Sequence, residues 1–291
     1  MRTYFKLLRL PYQLQLGAIF AWGFYMGGGT FGSFGEIARF VAVFALFHVG
    51  AFGGMTALNS FYDRDEGPVG GMWSPPKVPP YLWHFAWLIQ VGGLFLLLPL
   101  GWRLMLVYTV LLALSLLYSH PIPRGKGHPW KSLAIVVVGQ GVLDCLAGAL
   151  TAQHPRWDAP FWCGLAGATS MVAAFYPLTQ LYQVDDDLRR GDRTLAAWLI
   201  KRGGRRLLFA WAALGSAFGT LCNAVALWHS GLPIDAACLL LAGALPLLFI
   251  AQWQRSDPEV KTDFRRVHFL MRWMALAFGG YVLLRLGAAQ F

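Results

Sequence analysis

Acidic side chains are scarce in this chain. There are 14 in 291 residues, and charged residues of both signs make up 13% of it. An ordinary soluble domain carries about 25%, so this composition excludes a chain whose surface lies mostly in water. Cysteine is scarce as well. Cys145, Cys163, Cys222 and Cys238 each stand in an apolar stretch without paired spacing. That excludes a disulfide framework or a zinc site and leaves four small hydrophobic side chains. Low-complexity segments are absent, and residues 1–291 are expected to form a single transmembrane domain.

What is abundant is apolar sequence, 57% of the chain. Nine stretches are long enough to cross a bilayer, which takes about 20 residues in a helix. They are predicted at 14–33, 38–60, 81–100, 103–119, 132–152, 160–182, 206–229, 233–253 and 268–289. The fold class is therefore an all-α membrane protein, nine transmembrane helices around a central cavity. The first stretch follows a basic segment but shows no cleavage site, and is read as a retained helix.

The net charge of +10 would suggest a nucleic-acid partner in a soluble protein. Its placement points to the lipid bilayer instead. With the N-terminus cytoplasmic, every Lys and Arg except Arg39, Arg103, Arg156 and Arg285 falls on the cytoplasmic side, the asymmetry of inner-membrane topology. The expected location is a bacterial inner membrane, with no nucleic acid bound. The loops on that side, 61–80, 120–131, 183–205 and 254–267, are long and polar, which places the chemistry there.

Seven of the 14 acids lie in two runs at helix ends: Asp63, Asp65 and Glu66, then Asp185, Asp186, Asp187 and Asp192. In the first, Asn59 and Asp63 share a helical face and Glu66 falls on it again. Gly67-Pro68 then ends the helix. In the second, Gln180, Gln183 and Asp187 share a face, and Arg190 follows. Solvated helix ends and a surface network with Arg189, Arg190 and Arg193 would account for many of these charges. Asn59, however, stands inside an apolar span, where an unpaired amide is costly. Two like charges at about 5 Å repel by roughly 3 kcal/mol at an effective dielectric near 20. A hard divalent cation between the runs, carrying a phosphorylated ligand, relieves that repulsion.

Between the runs lies Tyr118-Ser119-His120-Pro121-Ile122-Pro123-Arg124-Gly125-Lys126-Gly127-His128-Pro129. Its prolines and glycines make an open, stiff loop, and Arg124 and Lys126 offer two cations suited to phosphate oxygens. Gln140 and Asp144 sit one helical turn apart in the fifth span. Asp144 either lines the cavity, orienting or deprotonating an acceptor, or is a packed and hydrogen-bonded residue. His48 and Asn223 read as satisfied packing residues.

These residues resemble those of the UbiA superfamily of intramembrane prenyltransferases. Asn59-x-x-x-Asp63 matches the start of its first Asp-rich motif. Asp187-Leu-Arg-Arg-Gly191-Asp192-Arg193-Thr194-Leu195-Ala196 matches the end of its second. Tyr118-Ser119-x-Pro121-x-x-Arg124-x-Lys126 is similar to its loop between helices four and five. Two departures stand out: the family's outer carboxylates fall on Gly67 and Gln183. Asp65, Glu66, Asp185 and Asp186 lie near enough to substitute, and one or two metal ions are both compatible.

The resemblance implies Mg²⁺ as cofactor, a polyprenyl diphosphate as donor and a second, acceptor substrate, often aromatic. Quinone precursors, chlorophyllides, haem, glycerol phosphates and phosphoribosyl sugars all serve related proteins. It implies catalytic roles for Asp63, Asp187, Arg124, Lys126 and Tyr118. Substrate contacts are expected from Asn59, Gln183, Arg190, Tyr182, Tyr62 and Asp144, and metal ligation from Asn59, Asp63, Glu66, Asp186 and Asp187. Tyr62, Tyr118, Tyr176 and Tyr182 lie nearest the motifs and could face an allylic cation. A terpene cyclase on the same fold, and a non-catalytic isoprenoid-binding or transport protein with a degenerate metal site, are the alternatives.

Overall fold

The computed structural model describes residues 1–288, all helices, turns and loops, with no β-strand among them. Residue 289, the last of the predicted ninth span, lies outside the described residues. A short helix, Arg2–Leu7, precedes α1 (Leu10–Met26). Then follow α2 (Phe34–Asp63), α3 (Leu82–Leu100), α4 (Trp102–Ser119), α5 (Pro129–Thr151), α6 (Ala159–Arg189), α7 (Leu195–His229), α8 (Pro233–Gln254) and α9 (Val260–Ala288).

Helices α2 to α9 are all long and apolar enough to span a membrane. The first predicted span, 14–33, is instead the 17-residue α1. It starts earlier because Pro11 fits a first helical turn, and it stops before Gly27-Gly28-Gly29. At 1.5 Å per residue it is about 25 Å long, slightly short of a hydrocarbon core of about 30 Å.

Two other spans differ from the expectation, for local reasons. The predicted loop 183–205 contains the first turns of α7, whose helix breaks at Gly203 and at Gly204 (φ 65°) before continuing. The ninth span begins at Val260 rather than 268. Asp263 anchors its first turn, accepting two hydrogen bonds from Arg205 (2.7 and 3.0 Å) and one from Trp253 Nε1 (2.7 Å).

The centre of the bundle is built on close approach. Helix α1 lies directly on α5: a Cβ on Gly23 would meet the Cys145 backbone, and one on Gly148 would meet the Phe20 carbonyl. Small residues that let helix backbones touch are the usual contact in membranes. At one end of the bundle Arg39 donates to the last carbonyls of α3 and α5, Leu100 O and Thr151 O, both at 2.9 Å. Such carbonyls have no partner within their own helix. At the other end lie the acidic runs. Both α2 and α5 contain a π-helical stretch, Leu46–Gly53 and Val137–Leu143, which shifts the side-chain register above it.

Candidate active site

A polar cavity of about 170 Å³ opens at the end of the bundle where α2, α4 and α6 finish. Asn59 and Asp63 reach it from the last two turns of α2, on the face predicted for them. Asp63 pairs with Lys126, and Asn59 Oδ1 accepts from Ser119 Oγ (3.2 Å) and Lys126 Nζ (3.4 Å). The loop after α4 is thereby tied to the end of α2.

Helix α2 stops because Arg64 is left-handed (φ 48°). The chain turns, so Asp65 and not Glu66 points into the cavity. Asp65 Oδ1 accepts from Arg190 Nη1 at 2.6 Å, while its Oδ2 is buried without a partner. Glu66 is exposed, outside the site. Tyr62 is also absent from the cavity wall and packs on Phe61 and His120. The helical spacing that placed Glu66 with Asn59 and Asp63 does not survive the turn at Arg64.

The second run divides similarly. A 3₁₀ turn at Leu181–Gln183 breaks α6. Tyr182, Gln183 and Asp187 line the cavity, while Asp185 is exposed and Asp186 pairs with Arg189 outside it. Asp186 Oδ2 lies 2.6 Å from where a Cβ on Gly67 would stand, so its carboxylate fills the space of a side chain at that position. Gln180 Oε1 accepts the Ala196 amide at 3.1 Å and so caps α7. Asp187 has no ion-pair partner among the described residues, although it lies in the same cavity as Lys126 and Arg190.

Arg124 is committed to Asp192 by two hydrogen bonds, Nε to Oδ1 (2.7 Å) and Nη2 to Oδ2 (2.8 Å). These bonds push the guanidinium above its ordinary pKa. The Gly127 carbonyl accepts from the Arg193 amide at 3.0 Å, and a Cβ on Gly127 would fall 2.7 Å from Asp192 Oδ1. Arg124 thus locks the Lys126 loop onto the turn after α6, and it is Asp192 that lines the cavity.

Arg9 is the cation that sequence reasoning left among the topology charges. It is 7% exposed, lines the cavity, donates to Ser60 Oγ at 2.9 Å and leaves Nε without a partner. No carboxylate pairs with it among the described residues. Gly70 and Gly71 are both left-handed (φ 46° and 84°) and close a two-residue turn between Val69 and Met72, the geometry that favours such residues. A side chain on Gly70 would strike Arg9. The position of Arg9 was visible as Arg9-Leu10-Pro11 at a helix start, but its burial was not.

The tyrosines separate two environments. Tyr118 and Tyr176 lie hydroxyl to hydroxyl at 3.2 Å. Tyr12, Gln140, Tyr176 and Thr179 line the polar cavity and also a second one of about 510 Å³, whose walls are mainly apolar. Asp144 reaches neither. It is fully buried, with both oxygens unpartnered and His48 Nε2 3.8 Å away. Gln140 lines both cavities, whereas Asp144, one turn further along α5 and just past the π-helical stretch, lines neither. His48 Nε2 and Asn223 Oδ1 likewise lack hydrogen-bond partners, contrary to the expectation of satisfied packing.

The donor set, carboxylates with amide oxygens, suits a hard divalent cation. No cluster of three or more acidic, His or Cys side chains is assembled among the described residues. Magnesium fits that description, because it typically takes one or two carboxylates and completes its shell with water and substrate phosphates.

Fold and site define a multi-pass integral membrane protein with a charged pocket at one end of an apolar bundle. The model of the UbiA prenyltransferase family matches residues 16–276. The chain belongs to that family. Among solved structures, a UbiA homolog from Archaeoglobus fulgidus bound to DMAPP and Mg²⁺ is 19% identical over 96% of this chain and 98% of its own, with a TM-score of 0.66. The same homolog bound to GPP and Mg²⁺ is 17% identical over 96% and 99%, at 0.65. A structure described for digeranylgeranylglyceryl phosphate synthase is 14% identical over 97% and 98%, at 0.62. A search of the curated proteins found no match.

Proposed function

We propose that this protein transfers an isoprenyl group from a prenyl diphosphate to an acceptor within the membrane, with Mg²⁺, at a site facing the cytoplasm. The observation that carries this is the joining of the 170 Å³ charged cavity to the 510 Å³ apolar one through shared walls. That pair of spaces has the polarity of a diphosphate with a hydrocarbon tail. The family and the prenyl diphosphates and Mg²⁺ in its solved members support the same reading.

In this reading Lys126, Arg190 and Arg9 receive the diphosphate oxygens. Asp187, the free oxygen of Asp65 and, once Lys126 turns to phosphate, Asp63 and Asn59 hold Mg²⁺. Bound there, the metal neutralises the departing diphosphate. The bond between the allylic carbon and the diphosphate oxygen breaks, and the diphosphate keeps the electron pair. The allylic cation is left at the level of Tyr12, Tyr118 and Tyr176, whose ring faces stabilise positive charge. A nucleophilic atom of the acceptor bonds to it and loses its proton to the released diphosphate. Arg124 acts as a positioning residue through Asp192.

The test supplies prenyl diphosphates of several lengths with a panel of acceptors and reads extracted products by mass spectrometry. A prenylated acceptor supports transfer. A hydrocarbon or alcohol made from the donor alone would assign a cyclase. A second reading, a non-catalytic isoprenoid-binding protein, draws on the ion pairs already holding Asp63, Asp65 and Asp192. It predicts binding with no product of either kind.

A further inference from the structure

The neck between the two cavities holds polar groups that the diphosphate does not use. Its shared wall is Tyr12 from α1, Gln140 from α5, and Tyr176 and Thr179 from α6. Gln15 lines the apolar cavity from the same face of α1 as Tyr12, Leu16 and Ile19. All the polar side chains at this neck are neutral.

Two of them offer oxygen acceptors. Gln15 Oε1 is buried without a partner. The Thr179 hydroxyl donates to the Tyr176 carbonyl at 2.7 Å, so its proton is committed and its lone pairs remain. Leaving a buried acceptor unpaired costs about 1–3 kcal/mol, and a ligand that donates a hydrogen bond recovers it. Tyr118 and Tyr176, hydroxyl to hydroxyl at 3.2 Å, use one proton between them and leave the other for a ligand. A ligand hydroxyl, which both donates and accepts, matches this set.

Charge lies elsewhere. Lys126, Arg190 and Arg9 are taken by the diphosphate. Asp235 is the one charged residue lining the apolar cavity among the described residues. It is held by Tyr281 (2.7 Å) and Arg285 (3.0 Å). A carboxylate or phosphate on the acceptor can only accept hydrogen bonds. At the neck it would meet acceptor oxygens, with the like charge of the diphosphate beyond them. The neck's own side chains supply no carboxylate or imidazole base, so the acceptor must react without prior deprotonation. An electron-rich ring bearing a hydroxyl does so.

We infer that Gln15, Gln140 and Thr179 form the acceptor subsite, and that it takes an uncharged ring of the hydroquinone type in preference to an anionic acceptor. The inference rests on the prenyl diphosphate reading above. A ring carbon beside the hydroxyl forms the new bond to the allylic carbon with a pair of ring π electrons. The hydrogen on that carbon then leaves as a proton to the released diphosphate.

The test uses the full chain in detergent with geranyl diphosphate and Mg²⁺, and compares methylhydroquinone with 4-hydroxybenzoate as acceptors. The neutral ring should be prenylated with kcat/KM at least ten-fold above the anionic one. Gln15→Leu and Thr179→Val should raise the acceptor KM by roughly ten-fold, the scale of one hydrogen bond left unpaired, with a smaller effect on the donor KM. Thr179→Ser, which keeps the hydroxyl, should stay near wild type. The thermal transition without ligands confirms that each variant is folded. Equal or better use of 4-hydroxybenzoate, or an unchanged acceptor KM in both variants, overturns the proposal.

A second readout needs no turnover. Geranyl thiolodiphosphate, whose bridging sulfur slows ionisation, fills the donor site with Mg²⁺, and each acceptor is then added. Ligand that binds the folded protein raises its thermal transition, so methylhydroquinone should add a further rise, lost in Gln15→Leu, and 4-hydroxybenzoate should add none. That rise without product from geranyl diphosphate would contradict the transfer reading and keep the subsite. Product made preferentially on the anionic ring would contradict the subsite and keep transfer. Neither product nor rise with either ring would contradict both.

Discussion

Lys126 and Asp63 form an ion pair that joins the loop after α4 to the last turn of α2, both side chains at most one-tenth exposed. The pair holds the charged cavity together without ligand, and its partners are the groups that the proposed reaction must redirect. Removing one member of a buried pair costs about 3–5 kcal/mol, because the other charge is left uncompensated. Lys126→Ala should therefore lower the thermal transition of the purified protein and abolish diphosphate release. The double variant Lys126→Met with Asp63→Asn should regain most of the stability and none of the release.

Arg124 is predicted to act through Asp192 alone. Its two hydrogen bonds to one carboxylate have no equivalent in lysine. Hydrogen bonds to charged groups contribute about 1.5–3 kcal/mol, so Arg124→Lys should lower kcat/KM by roughly ten-fold or more. In a double-mutant cycle with Asp192→Asn the two losses should fall well short of adding. Additive losses would give Arg124 an independent contact with the substrate.

Arg9 should behave differently from both. No carboxylate pairs with it among the described residues, so Arg9→Gln removes a buried uncompensated charge and is expected to keep or raise the thermal transition. The same variant should weaken competitive inhibition by inorganic diphosphate by roughly ten-fold, the scale of one charge-assisted hydrogen bond. Unchanged inhibition with reduced stability would make Arg9 a structural residue.

Gly67 offers a test of the altered motif. Replacing it by the family's aspartate should not improve the site, because the new Cβ meets Asp186 Oδ2 at 2.6 Å. Gly67→Asp alone is expected to lower release, because two carboxylates then crowd one space and repel. Combined with Asp186→Gly, which clears the space, it should recover release. Failure of the second change to rescue the first would show that Asp186 does not define the constraint.

The apolar runs made the bundle legible, since spanning helices must be long and continuous. Their ends were less so. Helix α7 begins at Leu195 because Gln180, a residue distant in sequence, caps it, and no local pattern carries that information. Asn59, Asp63, Lys126, Tyr118, Tyr182, Gln183 and Asp187, all singled out in the sequence, line one cavity. Glu66, Tyr62, Asp186 and Asp144 do not. Glu66 lies beyond the left-handed Arg64, Asp186 beyond the 3₁₀ turn that ends at Gln183 and Asp144 beyond the π-helical stretch, each a break in α-helical register. Tyr62 lies before Arg64 in regular helix and packs on Phe61 and His120 instead. Helical periodicity assumes that the register continues. Arg9 was hidden by a different averaging, because a count of basic residues by side cannot distinguish an arginine turned inward.

The central claim is that Asp187, the cavity carboxylate without an ion-pair partner among the described residues, takes part with Mg²⁺ in releasing diphosphate. The most direct measurement is release from geranyl and geranylgeranyl diphosphates by the purified protein, with Mg²⁺ and after chelation, beside Asp187→Ala. Release that requires Mg²⁺ and falls by about a hundred-fold or more in the variant, the scale for groups stabilising charge in a transition state, is the predicted result. Release indifferent to chelation or to Asp187→Ala, or none from folded protein with any donor and acceptor, would contradict it.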